Sequence, residues 1–475
     1  MARRIIVVGG GISGLAAAHR LVELHRERGG ELEILLLEAS QRLGGAIATE
    51  RIGEFLVEAG PDSFISEKPW ALELCQRLGI AQRLISPNPT GRNIFVVHKG
   101  SLQPLPNGFL LLAPTRLWPL IRTPLFSWRG KLRMAMEIFL PRRRADGDES
   151  LASFVRRRFG AEVLERVAQP LIGSIYAADP EDLSLAATMP RFLEMERKNR
   201  SVILAMRRSG QEKAGSGPRW SLFLTPAGGM QELIDAIVKR LPTGTVRLGA
   251  KVTGLFRNAT KKTWIVSVNE GETLEADGIV LATPAYVAAE LLSFISSELY
   301  EDLSAIPYSS TATVSLAYPE EAITRRLAGF GFVVPAKESL KIMACAFSSI
   351  KYAGRAPEGS VLLRAFVGGA LQLWLLDQDD RAMEASVHEE LAELLGVRAK
   401  PLFSRIHRHP RSMPQYRVGH RERLQRIETH LKALPGLALA GNAYEGMGIP
   451  DCIHSGEKAA EAVLEALLNR QPSID

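Results

Sequence analysis

Cysteine is scarce in this sequence, which has three in 475 residues: Cys75, Cys345 and Cys452. Three cysteines cannot form a disulfide framework, and no two of them have metal-ligand spacing. We interpret each as a small buried apolar residue rather than a catalytic thiol. Among the histidines only His407 and His409 are suitably spaced, and their arginine-rich setting disfavours a cation. The sequence therefore predicts no metal and a reducing, cytoplasmic location.

Long apolar runs are also missing, since no uninterrupted apolar segment reaches the roughly 18 residues of a transmembrane helix. The first apolar run leads directly into a glycine loop, so we interpret it as part of the fold rather than a cleavable signal. The charge excess is modest, 59 basic against 52 acidic residues. It predicts no nucleic-acid partner and is consistent with a solubilising surface, or with anionic partners such as carboxylated substrates or acidic lipid.

The two ends of the chain have related patterns. Ile5, Ile6, Val7 and Val8 form a continuous apolar run, typical of a parallel strand buried on both faces. A helix is predicted over 13–28 and a second strand over 33–37. The last 40 residues predict a strand at 437–440, a glycine turn and a helix over about 453–468. Both ends therefore predict pieces of one nucleotide-binding domain with other modules inserted, as a chain of this length allows.

A G-x-G-x-x-G motif lies between the first strand and the first helix, formed by Gly9, Gly10, Gly11, Ile12, Ser13 and Gly14. Such glycines permit a tight turn and close approach of the backbone to a pyrophosphate, while the helix N-terminus supplies N–H groups. Glu38 follows the second strand, where its carboxylate can accept hydrogen bonds from ribose hydroxyls. The combination favours a dinucleotide over a purely structural turn.

Two further segments add to the predicted cofactor site, and the first of them favours FAD over NAD. Arg42, Leu43, Gly44 and Gly45 follow Glu38 closely and would let the main chain pass beside phosphate and flavin. Near the C-terminus, the glycine-rich run 441–450 leads into a helix, whose N-terminus could stabilise negative charge on a reduced flavin. This second segment could instead be a structural turn between strand and helix.

At these motifs the sequence resembles the oxygen-dependent protoporphyrinogen oxidases, which are flavoproteins of the amine oxidase and phytoene desaturase superfamily. The glycine loop and Arg-Leu-Gly-Gly are shared by the superfamily, whereas 60–63 and 442–451 point to the oxidases. The similar segments run almost end to end: 9–15, 42–47, 58–63, 169–180, 225–230, 330–335, 366–369, 413–416 and 441–451.

The resemblance implies an α/β, two-dinucleotide-binding-domain FAD fold with an inserted mixed-sheet substrate domain and a helical membrane-facing domain. The FAD domain is expected at 1–86, 217–290 and 410–475, the helical domain at 87–210 and the substrate domain at 291–409. Segment 87–140 is rich in proline, aromatic residues and arginine, which is typical of contact with a membrane interface or of a lid over the protein's own cleft. A homodimer is implied by the resemblance alone.

The resemblance also implies non-covalent FAD and names its contacts. These are the glycine loop, Glu38, Ala39, Arg42, Gly45, Gly60, Pro61, Asp62, Ser63, Val252, Gly441, Met447, Gly448 and Ile449.

For the substrate, the resemblance implies that Arg92 pairs with a propionate, since guanidinium binds carboxylate in a bidentate way. Phe366 and Val333 would sandwich a pyrrole ring, and Ala346 would line the same pocket. Val333 and Ala346 are smaller than the usual family residues, which predicts a different pocket width. No side-chain base is identifiable, and the implied proton acceptors are main-chain carbonyls near Ser174.

The implied reaction, in heme biosynthesis, is the six-electron oxidation of protoporphyrinogen IX to protoporphyrin IX. It consists of three hydride transfers to flavin, with O2 as acceptor and H2O2 as by-product. Coproporphyrinogen III, which carries propionates in place of two vinyl groups, is a second candidate substrate that would require further cations. The sequence also leaves open a flavin amine oxidase and a non-catalytic flavin-fold protein. The predicted location is cytoplasmic, with peripheral attachment to the membrane's inner face left open.

Overall fold

Five parallel strands form the sheet on which the two ends of the chain meet. The computed structural model describes residues 3–29, 31–89, 93–106, 109–110, 113–114, 117–143, 147–213, 222–258 and 260–469. Across the sheet the strands are Val246–Arg247, Leu32–Leu37, Arg3–Val8, Gly278–Leu281 and Leu437–Leu439. The sequence's two predicted end segments are therefore joined in one sheet through the strand at 278–281.

The parallel sheet is buried on both faces, which explains the continuous apolar run of its first strand. Ile5 and Val7 belong to a core on one face, whereas Ile6 and Val8 belong to a core on the other. Helices Ile12–Arg28, Trp70–Leu78, Gln231–Val238 and Ile449–Leu468 cover the first face. The second face carries strands Val252–Asn258, Thr263–Val268 and Glu272–Ala276 and helices Ala285–Leu292, Ser297–Ser304 and His420–Leu431.

The C-terminal helix begins at Ile449, four residues before the start that the sequence predicts. Pro450 lies in its first turn, where proline lacks only an N–H that has no partner within the helix. The glycine-rich run therefore leads directly into the helix N-terminus.

A second, seven-stranded sheet stands against the first domain. Its order is Phe403–Pro414, Tyr308–Pro319, Ser360–Gly368, Ile342–Phe347, Gly331–Val333, Ile94–His98 and Ser101–Pro104. Helix Asp380–Leu395 covers one face of this sheet with an apolar core. The sheet takes strands from all three predicted domains, because 94–104 forms a hairpin on its edge and 410–414 is the end of strand Phe403–Pro414. The boundaries of those domains stay a prediction.

The remaining middle segment is mainly helical and has its own core. Its helices are Leu117–Arg122, Trp128–Ala135, Leu151–Arg158, Ala161–Val163, Gln169–Tyr176, Leu185–Thr188, Pro190–Asn199 and Val202–Lys213, with a π turn at Leu164–Ala168. Glu137, fully buried, accepts hydrogen bonds from Arg158 Nε at 3.0 Å and from the Val202 N–H at 2.9 Å. In the described part of the chain, no helix combines the length and hydropathy needed to cross a bilayer.

Short elements complete the structure: strands Thr49–Ile52, Phe55–Glu58, Phe64–Ile65, Leu84–Ile85, Phe109–Leu110, Ala113–Pro114 and Phe223–Pro226, and helix Ser348–Lys351.

Candidate active site

The glycine loop is packed so tightly that two of its positions exclude any side chain. Gly9 has φ +107°, and a Cβ there would lie 2.5 Å from the carbonyl oxygen of Ala282. A Cβ on Gly14 would lie 1.9 Å from the carbonyl oxygen of Gly9. At Gly11, by contrast, a Cβ would meet no described atom within 4 Å. The loop therefore needs glycine at positions 9 and 14 for its own packing, whereas Gly11, the middle glycine of the motif, faces open space.

Two helix N-termini point their N–H groups into this region. Helix Ile12–Arg28 begins after Gly11 and helix Ile449–Leu468 begins after Gly448, and neither has a side-chain cap among the described residues. The uncapped N–H groups and the positive dipole ends suit anionic groups. Gly441, which precedes the second helix, is held by a 3.1 Å hydrogen bond from its N–H to Ser455 Oγ.

Glu38 lies where the sequence predicts a ribose-binding carboxylate. Its side chain accepts hydrogen bonds from the Gly10 N–H at 2.6 Å and from the Ser40 N–H at 2.7 Å, so it is fixed against the glycine loop. Ala39 beside it is exposed. The Glu38 carbonyl accepts a 2.8 Å hydrogen bond from the Ala250 N–H. Val252, which is buried, follows two residues later and therefore lies close to Glu38.

The Arg42–Gly45 segment lies directly on the glycine loop. The Gly44 N–H donates to the Gly10 carbonyl at 2.9 Å, and a Cβ on Gly45 would be 3.2 Å from Gly11 Cα. The Arg42 guanidinium donates to the carbonyls of Ile47, at 3.0 Å, and of Gly45. This arginine therefore orders its own loop while supplying positive charge beside it.

The Gly60–Ser63 segment is fixed to the seven-stranded sheet. Just before it, the Ala59 carbonyl accepts 2.9 Å hydrogen bonds from Thr313 Oγ1 and His409 Nε2. Asp62 accepts from Ser63 Oγ at 2.7 Å and pairs with Lys351 Nζ at 2.9 Å. Burial alone would raise the pKa of Asp62, but the charges of Lys351 and Arg364 outweigh it and lower that pKa well below its ordinary value. Gly60 and Pro61 thus belong to a rigid segment with an ionised carboxylate.

The predicted substrate residues share one face of the seven-stranded sheet. Val333 pairs with Ala344, which also pairs with Phe366, so the three side chains form a row across the sheet. Ala346 lies two residues further along the same face, and both it and Phe366 are half-buried. Phe366 and Met447 pack against the same apolar cluster, which also contains Val333. We call the sheet face formed by Val333, Ala346 and Phe366 the slot; Met447, which packs on the same cluster, brings the predicted flavin residues to it.

Two predicted substrate contacts remain: Ser174, on a helix that packs against the strands of the slot, and Arg92. Ser174 lies in helix Gln169–Tyr176, and its hydroxyl donates to the Leu171 carbonyl of its own helix at 2.8 Å. Arg92 lies outside the described residues, so its propionate contact stays a prediction.

Three residues at the site were not singled out from the sequence. Lys351 pairs with Asp62, and the Tyr416 hydroxyl donates to the Asn442 carbonyl at 2.6 Å, which connects the slot to the C-terminal glycine run. Arg364 lies in the slot's own strand and is buried. The sequence did contain a signal for Arg364. Residues two apart in a strand lie on the same face of the sheet, so an arginine two residues before Phe366 shares the face of Phe366.

These observations fit FAD. The open face at Gly11, the fixed Glu38 and the two uncapped helix N-termini provide an extended groove lined by main-chain donors. Cys452, in the second helix, is buried, and burial raises the pKa of its thiol to about 12. The neutral thiol is a poor nucleophile, which supports non-covalent attachment. Among the described residues there is no cluster of metal ligands.

Comparison with known proteins agrees with this site. A coproporphyrinogen III oxidase from Bacillus subtilis (strain 168) is 36% identical over 471 residues, covering 98% of this chain and 99% of that protein. The chloroplastic protoporphyrinogen oxidase of Oryza sativa subsp. japonica is 31% identical over 488 residues, 97% of this chain and 88% of that protein. A crystal structure from Exiguobacterium sp. 255-15, provisionally named as a protoporphyrinogen oxidase, aligns with TM-score 0.86 and 30% identity over 98% of this chain and 99% of that one.

The family model described as flavin containing amine oxidoreductase matches residues 12–464. This match begins at the last three residues of the glycine loop and includes Glu38, the slot and the C-terminal glycine run. FAD is the cofactor that this family and these structural relatives support. The chain is an FAD-dependent oxidoreductase and belongs to the flavin containing amine oxidoreductase family.

Proposed function

We propose that this protein oxidises a porphyrinogen to the corresponding porphyrin in heme biosynthesis, with O2 as the electron acceptor. The observation that carries the proposal is the slot. Phe366, Val333 and Ala346 offer an apolar face beside the predicted flavin residue Met447. A porphyrinogen is a large apolar macrocycle with acidic arms, and such a ligand suits an apolar slot with few cations. The full-length similarity to two kinds of porphyrinogen oxidase supports the same substrate class.

Bound FAD supplies the two-electron acceptor that the reaction needs. The chain's own residues position the macrocycle and exclude water from it. Phe366 and Val333 provide the apolar surface, and the Asp62–Lys351 pair holds the Gly60–Ser63 segment in place. Overall, the substrate loses six electrons and six protons, and three O2 molecules accept them as hydrogen peroxide.

The sequence predicts protoporphyrinogen IX as the substrate, and coproporphyrinogen III is the second candidate. A specific observation favours the second, because the relatives at 36% and 35% identity are both named coproporphyrinogen III oxidase, whereas both names occur at 32%. The two porphyrinogens differ in two side arms, so the choice depends on cations at the slot.

One experiment tests the reaction and the substrate together. Purified holoenzyme is mixed anaerobically with each porphyrinogen in turn, and with putrescine as a control for amine oxidation. We expect a porphyrinogen to bleach the flavin's yellow absorbance, and air to restore it with the appearance of porphyrin fluorescence. Bleaching by the amine, or by neither porphyrinogen, would contradict the proposal.

We also propose that the helical segment docks peripherally on an anionic membrane surface. What we call the stripe consists of five exposed apolar residues of helices Leu117–Arg122 and Trp128–Ala135 and of the 3-10 turn that follows them: Ile121, Trp128, Leu132, Met136 and Phe139. Arg122 and Arg129 are exposed beside them, and Lys131 Nζ lies 4.7 Å from the centre of the Trp128 ring. Apolar and aromatic residues flanked by cations suit the interface of an acidic bilayer. The homodimer stays a prediction from resemblance.

A further inference from the structure

Arg364 carries a buried charge that no carboxylate in the described part of the chain meets at ion-pair distance, although it lies near enough to Asp62 to lower the pKa of that carboxyl. Its side chain lies in strand Ser360–Gly368, and the residue is 5% exposed. One terminal nitrogen, Nη1, is 3.5 Å from the Glu58 carbonyl oxygen, and the guanidinium stands 4.8 Å from the centre of the Phe366 ring. Among the described residues, its Nε has no hydrogen-bond partner and no carboxylate lies within ion-pair distance of it.

The two nearest carboxylates already have partners of their own. Asp62 is paired with Lys351 at 2.9 Å. Glu58 accepts hydrogen bonds from Thr49 Oγ1 at 2.7 Å and from the Met230 N–H at 2.9 Å, and burial raises its pKa. Burying a cation without an anion is costly, and a weak hydrogen bond with one ring contact offsets little of that cost. An anionic group from outside the chain would compensate it.

Strand register places this charge in the slot. Ala346 lies directly opposite Arg364 on the neighbouring strand, and Phe366 is two residues further on the same face. Both neighbours are half-buried, so this face of the sheet stays partly accessible beside Arg364. On the other side of Arg364, the paired Ser315 is buried and its hydroxyl also has no partner among the described residues. Two adjacent polar groups, Arg364 Nε and Ser315 Oγ, thus lack hydrogen-bond partners among the described residues, and Arg364 lies beside the apolar slot.

We propose that Arg364 binds a carboxylate of the substrate, in addition to the one expected at Arg92, and that it thereby selects a porphyrinogen with four propionates over one with two. The inference rests on the proposed porphyrinogen oxidation. Guanidinium holds carboxylate through paired hydrogen bonds, which gives it direction as well as charge. The additional propionates of coproporphyrinogen III meet this cation, whereas the vinyl groups of protoporphyrinogen IX leave it unpaired.

The test measures binding rather than turnover, with the oxidised products coproporphyrin III and protoporphyrin IX as stable probes of the holoenzyme. We expect Arg364→Met to weaken coproporphyrin III binding by about tenfold or more, as loss of a charged hydrogen bond does. Protoporphyrin IX binding should change by less than about threefold, and Arg364→Lys should keep most of the preference. Phe366→Leu is the matched control, because it alters the same slot without charge and should weaken both porphyrins alike.

A second variant keeps the guanidinium in place. Ala346→Glu puts a carboxylate directly opposite Arg364, within reach of a cross-strand ion pair, and should abolish the preference by neutralising the cation internally. This variant decides the question if Arg364→Met fails to fold.

The outcomes separate this inference from the proposed function. Equal weakening of both porphyrins in Arg364→Met, an unchanged ratio in Ala346→Glu, or loss of FAD with the ratio intact would overturn the role of Arg364. Flavin that neither porphyrinogen bleaches in the wild-type protein would overturn the proposed reaction itself.

Discussion

The cofactor groove and the substrate slot are built from different parts of the chain. The groove consists mostly of main-chain atoms, with the N–H groups of two helix N-termini, two glycines packed against carbonyls, Gly9 and Gly14, and the open face at Gly11. The slot consists of the side chains of Phe366, Val333 and Ala346, and Arg364 lies beside them on the same face of the sheet. A main-chain site tolerates almost any side chain that points away from it, whereas a side-chain site changes with each substitution.

This difference predicts where substitutions act. Substitutions in the groove should affect folding or FAD binding. They should not change the substrate preference of a protein that still folds and binds FAD normally. Changes in the slot should alter selectivity while the protein keeps its flavin, because the slot's residues do not hold the glycine loop. The following predictions run from the largest expected effect to the smallest.

The largest effect is expected at Gly14. A Cβ there would lie 1.9 Å from the Gly9 carbonyl oxygen, and main chain on both sides cannot move away. We expect Gly14→Ala to lower the free energy of unfolding by about 3 kcal/mol and to yield protein without flavin. Thermal unfolding and the ratio of flavin to protein absorbance measure the two results.

Gly11→Ala is the matched control for Gly14→Ala, since it adds the same methyl group three residues earlier. No described atom lies within 4 Å of that methyl group, and the Gly11 φ of −71° suits alanine. We expect this variant to fold normally but to bind FAD about tenfold more weakly or worse, because the methyl group occupies the space left for phosphate. An unaltered FAD affinity would show that the open face at Gly11 is not part of the cofactor site.

The same difference explains what the sequence could predict. The glycine loop of the groove depends on local features: a continuous apolar strand, glycines at fixed spacing and a helix immediately after them, all within residues 3–28. The slot depends on the register between strands that are distant in the chain. No short stretch of sequence around Ala346 or Arg364 indicates that the two residues lie opposite each other. For the same reason the hairpin at 94–104 was expected in a helical segment, whereas its apolar strand pairs with Gly331–Val333 about 235 residues later.

An intermediate effect is expected at the stripe, which is also a side-chain surface. Leu132 is 66% exposed between Trp128, at 72%, and Phe139, at 78%. We expect Leu132→Asp to reduce binding to anionic vesicles by about tenfold, because it removes buried apolar area and adds charge of the lipid's sign. Co-sedimentation with vesicles of acidic and of neutral lipid measures the change, and flavin content should stay the same.

Phe294→Asp provides the control for the stripe. Phe294 is 89% exposed, yet it follows a helix on the nucleotide-binding domain and lies outside the stripe. Its replacement should leave vesicle binding unchanged. Equal losses from both variants would mean that general surface charge, rather than the stripe, governs adsorption.

The smallest effect is expected at Cys452, although it lies in the helix that begins at the flavin groove. Its side chain is buried, and burial raises the pKa of the thiol to about 12, so it contributes packing rather than a bond to the cofactor. Cys452→Ala should therefore keep its flavin, with a loss of about 1 kcal/mol in stability from the deleted sulfur. After acid precipitation the yellow colour should remain in the supernatant for both proteins. A yellow pellet from the wild-type protein alone would mean that a side chain holds the cofactor covalently, and the division between main-chain groove and side-chain slot would fail at this helix.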